Sequence, residues 1–158
     1  MVDILTNQEL CMSNVLSFRK KIPVHNLQNE VERMEKFIKD GGYTKAGPSV
    51  SATYGLELQN NEQMIDVEVL IPLDKYFVPP EGCEYKAEFK LVNAVSIRHT
   101  GNPARLQETC DKLMAFIEEH KLSPITCGYN VTIQEPKLQA GVESMIVDVY
   151  IGISPNLL

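Results

Sequence analysis

Hydrophobic residues change their period several times along this chain, and each change marks an element. From Val15 to Ile22, Leu16 and Phe18 alternate with Ser17 and Arg19, the period of two expected of a half-buried strand. From Asn26 the period lengthens. Leu27, Val31, Met34, Phe37 and Ile38 recur at helical spacing, with Glu30, Glu32, Arg33, Glu35 and Lys36 between them. Asp40-Gly41-Gly42 stops that helix, because glycine enters the left-handed conformation after a helix at little cost. Gly47-Pro48 predicts a turn. Alternation resumes over Ser51 to Leu58, with Ala52, Tyr54, Leu56 and Leu58 on one face. After the polar loop Asn60-Asn61-Glu62-Gln63 it returns over Met64 to Leu73. Ile65, Val67, Val69 and Ile71 share one face there, and Asp66, Glu68 and Leu70 the other. Residues 1–13 are polar and aperiodic, which predicts a short helical turn or a loose arm.

Pro79-Pro80-Glu81-Gly82 interrupts the pattern, and the same order then begins again. Tyr85 to His99 reads as a long strand. Asn102-Pro103 opens a second helix, since asparagine caps free amide groups and proline needs none at the first helical position. Leu106, Cys110, Leu113, Met114 and Ile117 form its apolar stripe. Gly128 to Gln134 and Ser144 to Ile153 read as closing strands, with Gln139-Ala140-Gly141 in the turn between them. The two halves also share residues. Leu27-Gln28 and Leu106-Gln107 lie 79 positions apart, as do Ile38 and Ile117. Val67-Glu68-Val69-Leu70-Ile71 is answered by Val147-Asp148-Val149-Tyr150-Ile151 at a spacing of 80. Two copies are a duplication; a solenoid would need three or more. The expected fold class is α+β: duplicated β-α-β-β units with pseudo-twofold symmetry, an antiparallel sheet with two long helices packed on one face. The expectation is one domain over 1–158, made of repeats at about 14–79 and 85–154, with a binding groove where the copies meet.

Composition narrows the function. The 158 residues suffice for one domain with a sizeable core, and 44% hydrophobic with 23% charged residues is ordinary for a globular protein. No apolar run approaches the roughly 18 residues that suggest a membrane span, and Met1 to Leu10 lacks a basic region followed by an apolar stretch. Cys11, Cys83, Cys110 and Cys127 form no CxxC pair, and His25, His99 and His120 fall into no ligand spacing with them. A reduced, cytoplasmic chain without metal, cofactor or disulfide framework follows. The net charge of −6 argues against direct nucleic-acid binding. Arg19-Lys20-Lys21 reads as a solvated strand end.

Glu68 and Asp148 occupy the same place in the two copies, each between valines on a strand. They are either two solvated acids or a pair of carboxylates meeting between the copies, able to hold a cation or to move protons. Tyr54 and Tyr129 pair at a spacing of 75, and Tyr150 shares the face of Asp148. Tyrosines beside acids attract flat cations, although tyrosines on strands also simply pack across strands. His99, near a helix start, reads as a structural residue. Cys127 has no activating neighbour in the sequence, and no GxSxG, P-loop or HExxH pattern is present.

At Arg98-His99-Thr100-Gly101-Asn102-Pro103-Ala104-Arg105-Leu106, and over Ser96 to Pro124, the chain resembles the GyrI-like family. That family includes the effector-binding domains of bacterial multidrug-sensing activators. Gly47-Pro48 followed by Ala52-x-Tyr54 is similar to the family's turn and tyrosine strand. Ile65-Asp66-Val67-Glu68-Val69-Leu70-Ile71-Pro72 is similar to a second family signature. The resemblance implies a repeated β-α-β-β unit and a groove that takes bulky lipophilic, often cationic, compounds. Carried over by position, Tyr54, Glu68, Tyr129, Asp148 and Tyr150 would line it. Two departures stand out: Cys127-Gly128-Tyr129 replaces the family's E-x-Y, and Gly152 stands where a proline is usual. About 14 residues precede the first strand, so the expectation is a freestanding sensor module without its own DNA-binding head.

The function expected is therefore small-molecule binding, with a hydrophobic or cationic ligand as partner, no cofactor and no membrane partner. Two alternatives stand beside it. One is a hydrolase acting on a reactive small molecule, with Glu68 or Asp148 as general base. The other is an interaction module with a protein partner.

Overall fold

In the computed structural model, residues 4–134 and 145–154 are described. They form six strands and two 14-residue helices. In chain order these are β1 (Ile4–Pro23), α1 (Leu27–Asp40), β2 (Val50–Gln59), β3 (Glu62–Pro72), β4 (Cys83–Thr100), α2 (Leu106–Glu119), β5 (Tyr129–Gln134) and β6 (Ile146–Gly152). The strand pairing within each unit is antiparallel. The chain divides into two compact units: Cys11–Phe89, and the described residues before and after that span.

In the first unit β3 lies between β1 and β2. The alternation over β3 places its residues as expected. Ile65, Val67, Val69 and Ile71 join Leu16, Phe18 and Ile22 of β1 and Met34 and Ile38 of α1 in one core. Each large apolar side chain buried there contributes about 1.5–3 kcal/mol against exposure. Glu68 lies on the opposite face, away from the helix. In the second unit β6 lies between β4 and β5, and Val147, Val149 and Ile151 pack with Leu113 and Ile117 of α2.

Both helices end in the same way. Gly42 and Lys121 adopt φ of 72° and 55°. The following amides, of Tyr43 and Leu122, reach back to Ile38 and Ile117 at 3.0 and 2.9 Å. This is the hydrogen-bond pattern of a left-handed helix stop. Asn14 and Asn93, again 79 positions apart, both have φ of 53°. Their carbonyls accept from Leu73 and Ile153 at 2.9 and 3.1 Å. Asparagine tolerates this conformation better than other residues with a Cβ.

Several expectations need correction. Residues 4–13 are strand, not an arm. Most of them are exposed, so no buried face imposed a hydrophobic alternation that the sequence could display. Ala52, Tyr54, Leu56 and Leu58 do not share a continuous face. A β-bulge lies between Thr53 and Gly55, with Tyr54 as the extra residue. Ala52 is buried, while Leu56 and Leu58 are exposed. Met114 points outward from α2, and Thr109 is buried instead. Asn102 caps a short 3-10 turn, its Oδ1 accepting from the Ala104 amide at 2.9 Å; α2 follows at Leu106. The turn expected at Gln139-Ala140-Gly141, and Ser144, lie outside the described residues.

Candidate functional site

β1 and β3 pair so that Arg19 stands opposite Glu68. Adjacency alone would join these two charges, but the side chains choose other partners. The Arg19 guanidinium reaches Asp66 at 3.4–3.5 Å and lies over the Tyr54 ring, 3.7 Å from its centroid. Its hydrogen bond to Asp66 raises its pKa, burial opposes this, and the charges of Asp66, Tyr54 and Glu68 add to it. Glu68 is left to two other donors. The Tyr54 hydroxyl donates to Oε1 at 2.8 Å, and Lys86 Nζ donates to Oε2 at 3.2 Å. Strand alternation aims the tyrosine: Ala52 pairs with Glu68, so Tyr54, two residues on, lies on the same face, and the bulge switches the side taken by the residues after it.

Glu68 is only 5% exposed, which for a carboxylate is costly without such partners. It does not face a closed core. A cavity of about 260 Å³ opens beside it, lined by Ser17, Arg19, Glu68, Gly82, Glu84 and Lys86. The lining carries two cations and two anions, and a tyrosine hydroxyl is bonded to one of the anions. Such a cavity can hold a small charged group against a buried carboxylate.

In the second unit the corresponding acid is held differently. Arg98 opposes Asp148 across β4 and β6, and here the two do join, in a two-pronged ion pair at 2.7 and 2.9 Å. Tyr150 lies on the same face. Burial raises its phenol pKa, the Asp148 charge adds to this, and Arg98 opposes. Tyr129 pairs with Tyr150 in register and is buried.

The structure thus brings Tyr54 to Glu68, and gathers Tyr129, Asp148 and Tyr150 on neighbouring strands. It does not make Tyr54 and Tyr129 equivalent. Val50 opposes Leu70 and Tyr129 opposes Tyr150, so Tyr129 takes the place of Val50. The second bulge, between Thr132 and Gln134, puts Ile133 in the place of Tyr54. The spacing of 75 matched residue types; the register follows 79 and 80.

Three side chains at these sites carried no functional assignment from the sequence: Arg19, Arg98 and Lys86. The first two had a signal. Ser17-Phe18-Arg19 and Ser96-Ile97-Arg98 recur at the repeat spacing, and both serines are buried. Lys86 had none, because only the fold brings it to Glu68. Lys21 of the basic cluster pairs with Glu57, and both side chains stay about half exposed, as a solvated strand end would. His99 is a buried structural residue. Its Nε2 donates to the Asn102 carbonyl at 3.0 Å, and its Nδ1 meets the Thr109 hydroxyl at 2.7 Å. Among the described residues, no group of three or more His, Cys, Asp and Glu side chains could hold a metal ion, and no helix is long and apolar enough to cross a membrane.

No protein-family model matches the chain, and no curated protein matches it in sequence. Solved structures do share its fold. The C-terminal domain of EcmrR superposes with a TM-score of 0.71 at 13% identity, over 98% of this chain and 97% of that one. EcmrR in complex with DNA, in the assembly EcmrR-RPo, gives 0.74 at 13% identity. That match spans 98% of this chain but only 57% of the EcmrR chain. A hydrolase from Listeria innocua gives 0.65 at 13% identity, over 97% of this chain and 91% of that one. At such identities the likeness is one of fold.

Proposed function

We propose that this chain is a small-molecule binding module of the effector-sensing type, which takes a ligand's cationic group at Glu68. The observation that carries this reading is a buried carboxylate, bonded to the Tyr54 hydroxyl, at the wall of an open cavity of about 260 Å³. A buried anion attracts a cation far more strongly than an exposed one, because little water competes for it. The Tyr54 ring already carries one cation, that of Arg19, and so is placed for such contacts. The second unit's Asp148, Tyr150 and Tyr129 are assigned a lesser part, since the Arg98 fork already neutralises Asp148. The recurrence of local devices at spacings of 79 and 80 supports descent of both units from one ancestral β-α-β-β unit. The fold shared with the C-terminal domain of EcmrR, a protein also solved in complex with DNA, is the fold-level support for this reading.

Thermal shift and calorimetry across a panel of organic cations and their neutral isosteres test the reading. Cations are expected to stabilise the protein, isosteres to do so less, and Glu68→Gln to remove the difference. Asp148→Asn is expected to leave most of the binding in place. Equal response to cations and isosteres would count against Glu68 as the ligand carboxylate.

A further inference from the structure

We infer that Lys86 is a built-in competitor for the ligand: it holds the charge of Glu68 in the empty site and must leave before a cation can enter. The inference rests on the reading of Glu68 as the ligand carboxylate, and it adds the residue that sets the threshold for binding.

Three observations lead to it. First, the two units treat equivalent acids differently. Asp148 is gripped by the arginine directly opposite, through two short bonds. Glu68 has an arginine in the same register position, but Arg19 is engaged by Asp66 and by the Tyr54 ring. The charge of Glu68 therefore falls to a lysine, through one bond at 3.2 Å. Second, the two partners differ in access to water. The Glu68 side chain is 7% exposed and that of Lys86 is 33% exposed. The acid is fixed in the wall, whereas the ammonium sits on a flexible stem at the mouth. A lysine head is strongly hydrated, so release into water costs it little. Third, the cavity lining carries as many cations as anions, Arg19 and Lys86 against Glu68 and Glu84, and with Arg19 bonded to Asp66 the cation left to Glu68 is Lys86. A cation added beside Lys86 would bring a like charge close by, whereas a cation that replaces Lys86 preserves the balance. Binding is then an exchange of one cation for another, and Lys86 weakens every cationic ligand by the strength of its own bond to Glu68.

The test compares the wild type with Lys86→Met, which keeps the stem and removes the charge. The probe is benzyltrimethylammonium, which cannot lose its charge, with neutral 2,2-dimethylpropylbenzene as its isostere. Lys86→Met is expected to bind the cation at least about tenfold more tightly, as expected for the loss of one competing charged hydrogen bond. Affinity for the isostere should not change. Lys86→Arg, which keeps the charge, should show no gain, and Glu68→Gln in the Lys86→Met background should abolish it. A second readout follows the lysine itself. Addition of the cation to the wild type should speed acylation of Lys86 by an N-hydroxysuccinimide ester, with Lys45 as the control.

Equal cation affinity in wild type and Lys86→Met, with binding abolished by Glu68→Gln, would overturn the competitor role while leaving the ligand carboxylate in place. Unchanged acylation of Lys86 on saturation would do the same. Absence of cation binding in both proteins would overturn the proposed site, and this inference with it.

Discussion

At the scale of single residues, the chemistry is decided by what each polar group finds within about 3 Å. Glu68 is tolerated in its buried position because two donors face it. Tyr54→Phe removes one and leaves a carboxylate oxygen short of a partner. A loss of about 1–3 kcal/mol in unfolding free energy is expected, to be measured by urea titration. Tyr150 gives a pH signature. Its pKa is raised by burial and then by Asp148, so the folded chain keeps the phenol proton longer than the unfolded chain does. The stability from this group is whole below pH 10 and declines as pH rises past that value. Denaturation at a series of alkaline pH values should show the decline, and Tyr150→Phe should flatten it. The thiols differ too. Burial pushes up the thiol pKa of Cys83 and of Cys110, while Cys11 is exposed. Iodoacetamide at mildly alkaline pH should therefore alkylate Cys11 first, as peptide mass analysis would show.

At the scale of elements, left-handed residues end helices and bend strands. Gly42 has nothing near the position of a Cβ, so Gly42→Ala measures the conformational cost alone, about 1 kcal/mol. Lys121 holds the same place after α2 with φ of 55°, and Lys121→Gly is expected to stabilise by a few tenths to 1 kcal/mol. Chemical denaturation of both variants checks the pair. Gly152 stands where β3 has Pro72, and its environment supplies the reason for the departure. Its amide donates to the Thr126 hydroxyl at 2.9 Å, which proline cannot do. An added Cβ would meet Leu91 at 2.9 Å, so Gly152→Ala should cost about 1–3 kcal/mol. The helices were legible because each must bury a stripe, and a stripe leaves a period. Met114 escaped that logic because the stripe of α2 is narrower than its apolar residues suggest, and Thr109 shares a hydrogen bond with His99 inside it. The bulges at Tyr54 and Ile133 left no period at all, since one extra residue shifts the alternation without changing composition.

At the scale of the whole chain, binding and stability are linked by mass action. A cation at about 100 times its dissociation constant should stabilise the folded state by about 2.7 kcal/mol, seen as a rise in Tm that Glu68→Gln abolishes. The acidic balance of −6 should make association of a cationic ligand faster at low salt. What the sequence by itself determined is the order of elements in each half, the core faces of β3, β6 and α1, that of α2 apart from Met114 and Thr109, and the shared face of Asp148 and Tyr150. These follow from burial acting on residues close in the chain, where a period of 2 or 3.6 is enough to reveal a face. Tertiary structure alone decided that Arg19 leaves Glu68 for Asp66, that the Tyr54 hydroxyl bonds Glu68, and that Lys86 completes the site. Those outcomes depend on distances between residues 14 to 47 positions apart, and no local periodicity encodes which of several nearby charges a side chain will reach.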